Sequence, residues 1–169
     1  MLINLLLFFS LNMTSIYSFN INTLNQDTIH LNDYQGKKIL LVNIASGSEY
    51  ASQLSELQAL YNQFDNRLIV IAFPSNSFEH EPLTNAAVMQ FIADSTNISF
   101  PVAELSEVTG SDANPIYNWL SQANENGVMD RITMHDYQKV LISEDGKIIA
   151  VFQNEISPLD PLITDAINN

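Results

Sequence analysis

The 169-residue sequence contains no cysteine, and this absence excludes whole classes of chemistry. Disulfide bonds, thiolate zinc sites, iron–sulfur clusters and every thiol-based redox mechanism require that residue. Basic residues are also scarce, with 6 Lys and Arg against 19 Asp and Glu, and the formal net charge is −13. Because such a charge repels phosphate groups, we expect neither a nucleic acid partner nor an anionic membrane surface.

Long apolar runs are absent except at the N-terminus, where one extends from Leu2 to Leu11 and is too short to span a bilayer as a helix. Small and polar residues follow, and Ser15 or Ser18 could end a cleaved segment. Residues 1–18 are therefore predicted to be a signal peptide, which implies an exported protein, periplasmic or secreted, without a stable membrane span after processing. The alternative is an apolar strand or helix packed on the domain of a cytoplasmic protein.

Beyond residue 18 the sequence has no linker rich in Ser, Gly or Pro and no internal repeat, so one domain is expected over residues 19–169. The hydrophobic content of 46% is sufficient for a full core. No cofactor is expected from any motif in this domain.

Strand and helix signals alternate along the domain. Strands are predicted at 19–23, 28–31, 38–43, 68–73, 140–143 and 148–152, and helices at 52–64, after Thr84, from Pro115 and at about 159–167. The strand at 38–43 is apolar on both faces, as a central parallel strand should be. A strand–helix–strand unit followed by a hairpin and a last helix predicts an α/β protein of the thioredoxin-like fold class. We expect a central mixed β-sheet flanked by helices, with an N-terminal β-hairpin.

The helix at 52–64 repeats apolar residues at steps of three and four, and Ser52 is its candidate N-cap. Trp119 lies on a predicted helix and is interpreted as a core residue. The other positions expected to be buried are Leu40, Leu41, Val42, Leu57, Leu60, Ile69, Val70, Ile71, Leu141 and Ile149.

Two separate motifs resemble the signatures of one family. Residues 40–61, LLVNIASGSEYASQLSELQALY, are similar to the first signature of the glutathione peroxidases, L-x-V-N-V-A-S-x-C-G-x-T-x-x-Y-x-x-L-x-x-L-Y. Residues 73–82 resemble the second, F-P-C-N-Q-F-x-x-Q-E-P, with one residue fewer. Segments 114–120 and 137–152 also resemble this family, so the similarity runs from about residue 18 to the C-terminus. It implies the thioredoxin-like fold, and the short connection after Leu120 resembles a branch that is often monomeric.

The resemblance implies an oxidoreductase family that reduces hydrogen peroxide and organic hydroperoxides in the response to oxidative stress. Its reactive cysteine or selenocysteine lies near a Gln, a Trp and an Asn. These four positions correspond here to Ser48, Ser77, His135 and Asp136, and a second cysteine of the family corresponds to Ser75.

Peroxide reduction needs a nucleophile that is an anion near neutral pH and can hold the transferred oxygen, and serine does neither. The resolving cysteine of thioredoxin-dependent members is also missing between Asn85 and Asn97. Engineered Cys-to-Ser changes would explain Ser48 and Ser75, but not the loss of the Gln, Trp and Asn. We therefore predict a pseudoenzyme that has naturally lost peroxidase activity.

Other functions stay open. A non-catalytic module could use the remodelled pocket or the acidic surface to bind an unknown small molecule or protein. Ser48, His80 and His135 include the residue types of a serine hydrolase, although Asp136 follows His135 directly and an acid there normally points elsewhere. The Glu-His-Glu run at 79–81, or His135 with Asp136, could ligate a metal, but same-face His spacing is missing.

Overall fold

A four-stranded mixed sheet forms the centre of the protein in the computed structural model, which describes residues 13–95, 97–130 and 134–169. The strands are β1 (Asn20–Asn22), β2 (Thr28–His30), β3 (Lys38–Ile44), β4 (Leu68–Pro74), β5 (Lys139–Ile142) and β6 (Ile148–Phe152). The helices are α1 (Gln53–Phe64), α2 (Asn85–Ser95), α3 (Pro115–Leu120), α4 (Ala123–Asn126) and α5 (Pro161–Asn168), with short 3-10 turns at Ile16–Ser18 and Leu31–Tyr34.

The strand order in the sheet is β4-β3-β5-β6. β3 and β4 are parallel and joined through α1, whereas β5 is antiparallel to both β3 and β6. β1 and β2 pair antiparallel as a separate two-stranded ribbon, with Ile21 opposite Ile29. The predicted central sheet and N-terminal hairpin are therefore confirmed.

Both faces of the sheet are covered, because successive side chains of β3 point to opposite sides. Leu40 and Val42 belong to the core that α1, α2 and α5 cover, and Ile39 and Leu41 to the core that α3 covers. Trp119 lies in the second of these cores and is buried, as predicted. Helices on both faces explain why the predicted central strand is apolar throughout.

Nine of the ten positions expected to be buried are buried, and Ile149 is the exception with 47% exposure. The prediction for Ile149 was wrong because the alternation of buried and exposed side chains is interrupted at this point of the edge strand β6. Leu141 pairs with Ala150 and Ile142 pairs with Ile148, so Ile149 has no partner across the ladder. Such a bulge turns the extra residue out of the regular alternation.

Ser52 occupies the N-cap position of α1, but its hydroxyl makes no capping hydrogen bond. Its backbone is already helical, whereas side-chain capping normally uses an extended N-cap residue. Asn114 and Asp160 are extended at the starts of α3 and α5, and each accepts a hydrogen bond from a backbone N–H two residues on.

The predicted signal segment is described only from Met13 onward, and its apolar run lies outside the described residues. Ile16 is fully buried, and the carbonyl of Thr14 accepts a 2.7 Å hydrogen bond from the Trp119 indole N–H. The Tyr17 hydroxyl donates to the Glu144 carbonyl at 2.6 Å. Within the described part of the chain, no helix is long and apolar enough to cross a bilayer. Cleavage after Ser15 or Ser18 stays a prediction.

Candidate functional site

A cleft of about 310 Å³ opens beyond the end of β3, between the loop that leads to α1, the loop after β4 and the segment before β5. Three of the four predicted site residues, Ser48, His135 and Asp136, line it. The other lining residues are Gly47, Glu49, Tyr50, Phe78, His80 and Asn154, the last from the loop after β6. Another pocket of about 290 Å³ lies beside α2, but no titratable side chain lines it.

Gly47 holds the two loops of the cleft close together. Its N–H donates a 2.9 Å hydrogen bond to the carbonyl of His80. A Cβ at Gly47 would lie 2.8 Å from that same backbone oxygen, so a larger residue would push the loops apart. This contact places Ser48 next to the segment that carries His80.

The Ser48 side chain is mostly buried and lies in a turn ahead of α1. Its Oγ accepts a 3.3 Å hydrogen bond from the backbone N–H of Tyr50. Within the described ranges, no acceptor is found for the Ser48 hydroxyl proton. The hydroxyl therefore remains able to donate to a molecule in the cleft.

Asp136 contacts His80 and not its sequence neighbour His135. Its Oδ2 lies 2.5 Å from the Nδ1 atom of His80. Asp136 is 5% exposed, whereas the side chain of His80 is 56% exposed. The ring of His135 instead lies against Phe78, with 6.0 Å between ring centroids. The expectation that Asp136 would not orient His135 is therefore confirmed, and its true partner was not anticipated.

The backbone of residues 135–137 is tied to β3. The Asn43 side-chain amide donates to the His135 carbonyl at 2.6 Å, and the Tyr137 N–H donates to the Asn43 carbonyl at 2.7 Å. Tyr137 has a φ of 60°, in the left-handed region that costs energy for a bulky residue. Burial, reinforced by the carboxylates of Glu81 and Asp136, raises the Tyr137 pKa above its ordinary value. Tyr137 is thus kept neutral beneath the cleft.

Ser77 lies outside the lining of the cleft. Its hydroxyl donates to Glu107 Oε2 at 2.6 Å and accepts from the N–H of Val108 at 2.9 Å. It also accepts from the hydroxyl of Ser75, which is fully buried. The structure therefore brings together Ser48, His135 and Asp136 but not Ser77, because Glu107 draws Ser77 toward the loop before α3.

The loop at 79–81 is a candidate metal site by sequence, but two of its side chains make other contacts in the structure. Glu81 is buried and accepts hydrogen bonds from Ser46 N at 2.8 Å and Ser46 Oγ at 2.6 Å. Its neighbour His80 is engaged by Asp136. Across the described ranges, no group of three His, Asp or Glu side chains is arranged to hold a metal ion.

Sequence reasoning missed Asn154 as part of the cleft and missed the partnership of His80 with Asp136. These two residues are 56 positions apart, and no local spacing signals their contact. The left-handed backbone of Glu79, with φ of 64°, turns the loop just before His80. Only pairing of β5 beside β3 brings the two loops to one end of the sheet.

Comparisons with known proteins agree with this architecture. A model of the glutathione peroxidase family matches residues 16–121. A glutathione peroxidase-like peroxiredoxin of Chlamydomonas reinhardtii is 31% identical over 156 residues, 90% of this chain and 96% of the relative. The apo crystal structure of a protein named Trgpx has a TM-score of 0.67 and 25% identity, covering 92% of this chain and 97% of that one.

The fold is shared more widely. A thioredoxin family protein of Chlorobium tepidum, described as a thiol:disulfide interchange protein, has a TM-score of 0.63 and 16% identity, covering 92% of this chain and 97% of that one. The thioredoxin-like fold predicted from the order of strands and helices is therefore confirmed.

Proposed function

This chain belongs to the glutathione peroxidase family, and from that premise we propose that it has lost thiol peroxidase activity and uses the remaining cleft to bind another molecule. The observation that carries the proposal is that the chain has no cysteine, and the motif around Ser48 resembles the one that holds the family's reactive residue. A serine hydroxyl has no stable state that holds an oxygen taken from a peroxide. Ser48 therefore cannot take up the peroxide oxygen, and no oxidised form exists for a thiol to reduce.

Asp136 supports the same conclusion. Asp136, at the position that resembles the family's Asn, is a buried carboxyl group that lines the cleft together with Ser48. A carboxylate raises the pKa of a nearby thiol, because like charges oppose formation of the thiolate. The surroundings of Ser48 would therefore oppose the ionisation of a thiol at that position.

The cleft itself supports the binding role. Its volume of about 310 Å³ is large enough for a small molecule or a peptide side chain, and it has both polar and aromatic lining residues. We propose a small-molecule or protein partner for this monomeric domain.

The test is a stopped-flow peroxide assay on the full chain, with hydrogen peroxide or a lipid hydroperoxide as oxidant and glutathione or thioredoxin as reductant. The unmodified protein is expected to show no turnover. Ser48→Cys should react slowly with peroxide, and Ser48→Cys combined with Asp136→Asn should react faster, since the double variant removes the carboxylate. Ser75→Cys is the matched control, because this buried position lies outside the cleft. Turnover by the unmodified protein would refute the proposal.

Export is a second part of the proposal, and the apolar run from Leu2 to Leu11 supports it. N-terminal sequencing of the protein recovered from an expressing cell tests it. A processed N-terminus in the extracytoplasmic fraction is expected, and an intact Met1 in the cytoplasmic fraction contradicts it.

A further inference from the structure

The contact between His80 and Asp136 orients an exposed imidazole in the cleft. A carboxylate against Nδ1 favours the tautomer that carries its proton on that nitrogen, so Nε2 is left as a proton acceptor. Asp136 is almost fully buried, while more than half of the His80 side chain reaches solvent. The pair therefore presents a positioned base to a molecule that enters the cleft.

Ser48 lies in the same cleft as this base. The hydrogen bond from Gly47 N–H to the His80 carbonyl connects the residue before Ser48 directly to His80. The Ser48 oxygen is already positioned by the N–H of Tyr50, and its own proton has no acceptor within the described residues. A hydroxyl and an imidazole base thus line one cleft, with the imidazole held by a carboxylate.

A backbone donor is also present beside Ser48. The N–H of Glu49 donates to no acceptor within the described ranges. The amide that follows a nucleophilic serine is a donor that stabilises the oxyanion of acyl transfer in other folds. A hydroxyl, an imidazole held by a carboxylate and a backbone N–H therefore lie at one end of the sheet.

We propose that Ser48, His80 and Asp136 form an acyl-transfer site that hydrolyses carboxylic esters. Ser48 is the nucleophile, His80 the base and Asp136 the positioning residue. The aromatic side chains of Tyr50 and Phe78 line the cleft and favour an apolar acyl group. The net charge of −13 disfavours anionic esters, so the substrate class is a neutral or cationic ester.

The proposed reaction balances without a redox partner. Ser48 Oγ forms a bond to the acyl carbon while its proton moves to His80 Nε2, and the carbon–oxygen bond to the leaving alcohol breaks as His80 returns the proton to that oxygen. Water then attacks the acyl-serine, His80 accepts the proton of the water, and the proton passes to Ser48 Oγ as the acid leaves. One ester and one water give one acid and one alcohol.

The first test is labelling of the full chain with a fluorophosphonate probe, followed by identification of the modified peptide by mass spectrometry. Labelling of Ser48 is expected, and it should fall on the order of 10²-fold in His80→Ala, as for removal of a general base. His30→Asn is the matched control, because His30 lies on β2 and bonds to Asn20 away from the cleft. Absence of labelling in the unmodified protein, or labelling at another residue, overturns the proposal.

The second test separates a chemical role from a structural one. Added imidazole should restore the labelling of His80→Ala, because the exposed position of the missing ring admits it, and an unfolded variant would not respond. Asp136→Asn should lower labelling and remove a downfield proton NMR signal from the His80 Nδ1–H, at an unchanged unfolding temperature. Loss of labelling in His135→Asn with full labelling in His80→Ala overturns the assignment of the base.

Hydrolysis of p-nitrophenyl acetate by the unmodified protein, and its loss in Ser48→Ala, completes the test. A labelled protein without ester turnover would overturn the hydrolytic step. This inference rests on Ser48 being free of thiol chemistry, but the two proposals fail separately. Peroxide turnover contradicts the proposed function, whereas an unreactive Ser48 contradicts only the acyl-transfer site.

Discussion

Replacing Lys139 by Met should alter how the stability of this protein depends on pH. Lys139 begins β5 and is fully buried. Its Nζ donates to the carbonyl oxygens of Tyr137 at 2.8 Å and Ile156 at 2.7 Å, with that of Asn154 at 3.5 Å. These bonds join the segment before β5 to the loop after β6, and both of these segments line the cleft.

Burial lowers the pKa of Lys139 from 10.5 to about 8, although the nearby carboxylates of Glu56 and Glu155 act in the opposite direction. The folded protein therefore releases this proton at a lower pH than the unfolded chain. Below pH 8 both the folded and the unfolded states hold the proton, so the folded state bears the whole free-energy cost of burying the charged ammonium group. Between pH 8 and 10.5 the unfolded chain binds more protons, so the free energy of unfolding rises with pH.

The size of the effect follows from the two pKa values. Each pH unit of difference corresponds to about 1.4 kcal/mol, so the full effect is about 3 kcal/mol. Between pH 7.5 and 9.5 the expected gain in the free energy of unfolding is about 2 kcal/mol. Tyr17 and Tyr34 have pKa values raised by burial, and they lower stability as the pH passes 10, so measurements should stop at pH 9.5.

Urea unfolding at pH 7.5, 8.5 and 9.5 measures this difference in the unmodified protein and in Lys139→Met. The unmodified protein should gain about 2 kcal/mol relative to the variant over that range. Lys147→Met is the control, because Lys147 is exposed, pairs with Asp145 and should leave the gain intact. If the free energy of unfolding changed with pH in the same way in the unmodified protein and in Lys139→Met, the reasoning would be refuted. If the variant does not fold, a free energy of unfolding that stays constant with pH in the unmodified protein would refute it.

Leu57→Ala should lower the free energy of unfolding by about 2 to 5 kcal/mol, since this residue is fully buried, whereas the exposed Leu162→Ala should change it little; urea titration distinguishes them. Glu81→Gln should cost about 1 to 3 kcal/mol, because its buried carboxylate accepts three hydrogen bonds, and a loss below 0.5 kcal/mol would contradict that role. Deleting residues 1–18 should lower the unfolding temperature more than deleting residues 1–12, because the former removes a buried isoleucine and the acceptor of the indole N–H; equal midpoints by calorimetry would contradict this.

The regular elements could be predicted because their signals are local. The runs at 38–43 and 68–73 are apolar on both faces, and they form the parallel pair β3 and β4 with a shift of one residue at most. Pro115 after Asn114 starts α3 as expected, since a fixed φ and a side-chain acceptor act within one turn. Ile149 was mispredicted because the bulge that exposes it depends on pairing with β5.

In the candidate site, too, residues within a local motif could be predicted, whereas contacts between distant loops could not. The motif around Ser48 is continuous in sequence, and it predicted the place of this residue in the candidate site, where Ser48 does line the cleft. The partner of Asp136 could not be predicted, since that residue meets His80 only after β5 has paired with β3. Likewise, Ser77 is next to Phe78 in the sequence, and Phe78 lines the cleft, yet the Ser77 hydroxyl reaches Glu107 outside it.

The sequence by itself determined the order of strands and helices, the composition of the core and the absence of thiol chemistry. Periodicity and residue type act over a few positions, and a chain without cysteine has no thiol in any conformation. The tertiary structure decided which side chains share the cleft and which proton acceptor faces solvent there. Those contacts join loops far apart in the chain, and they exist only because packing of the sheet brings the loops to one end.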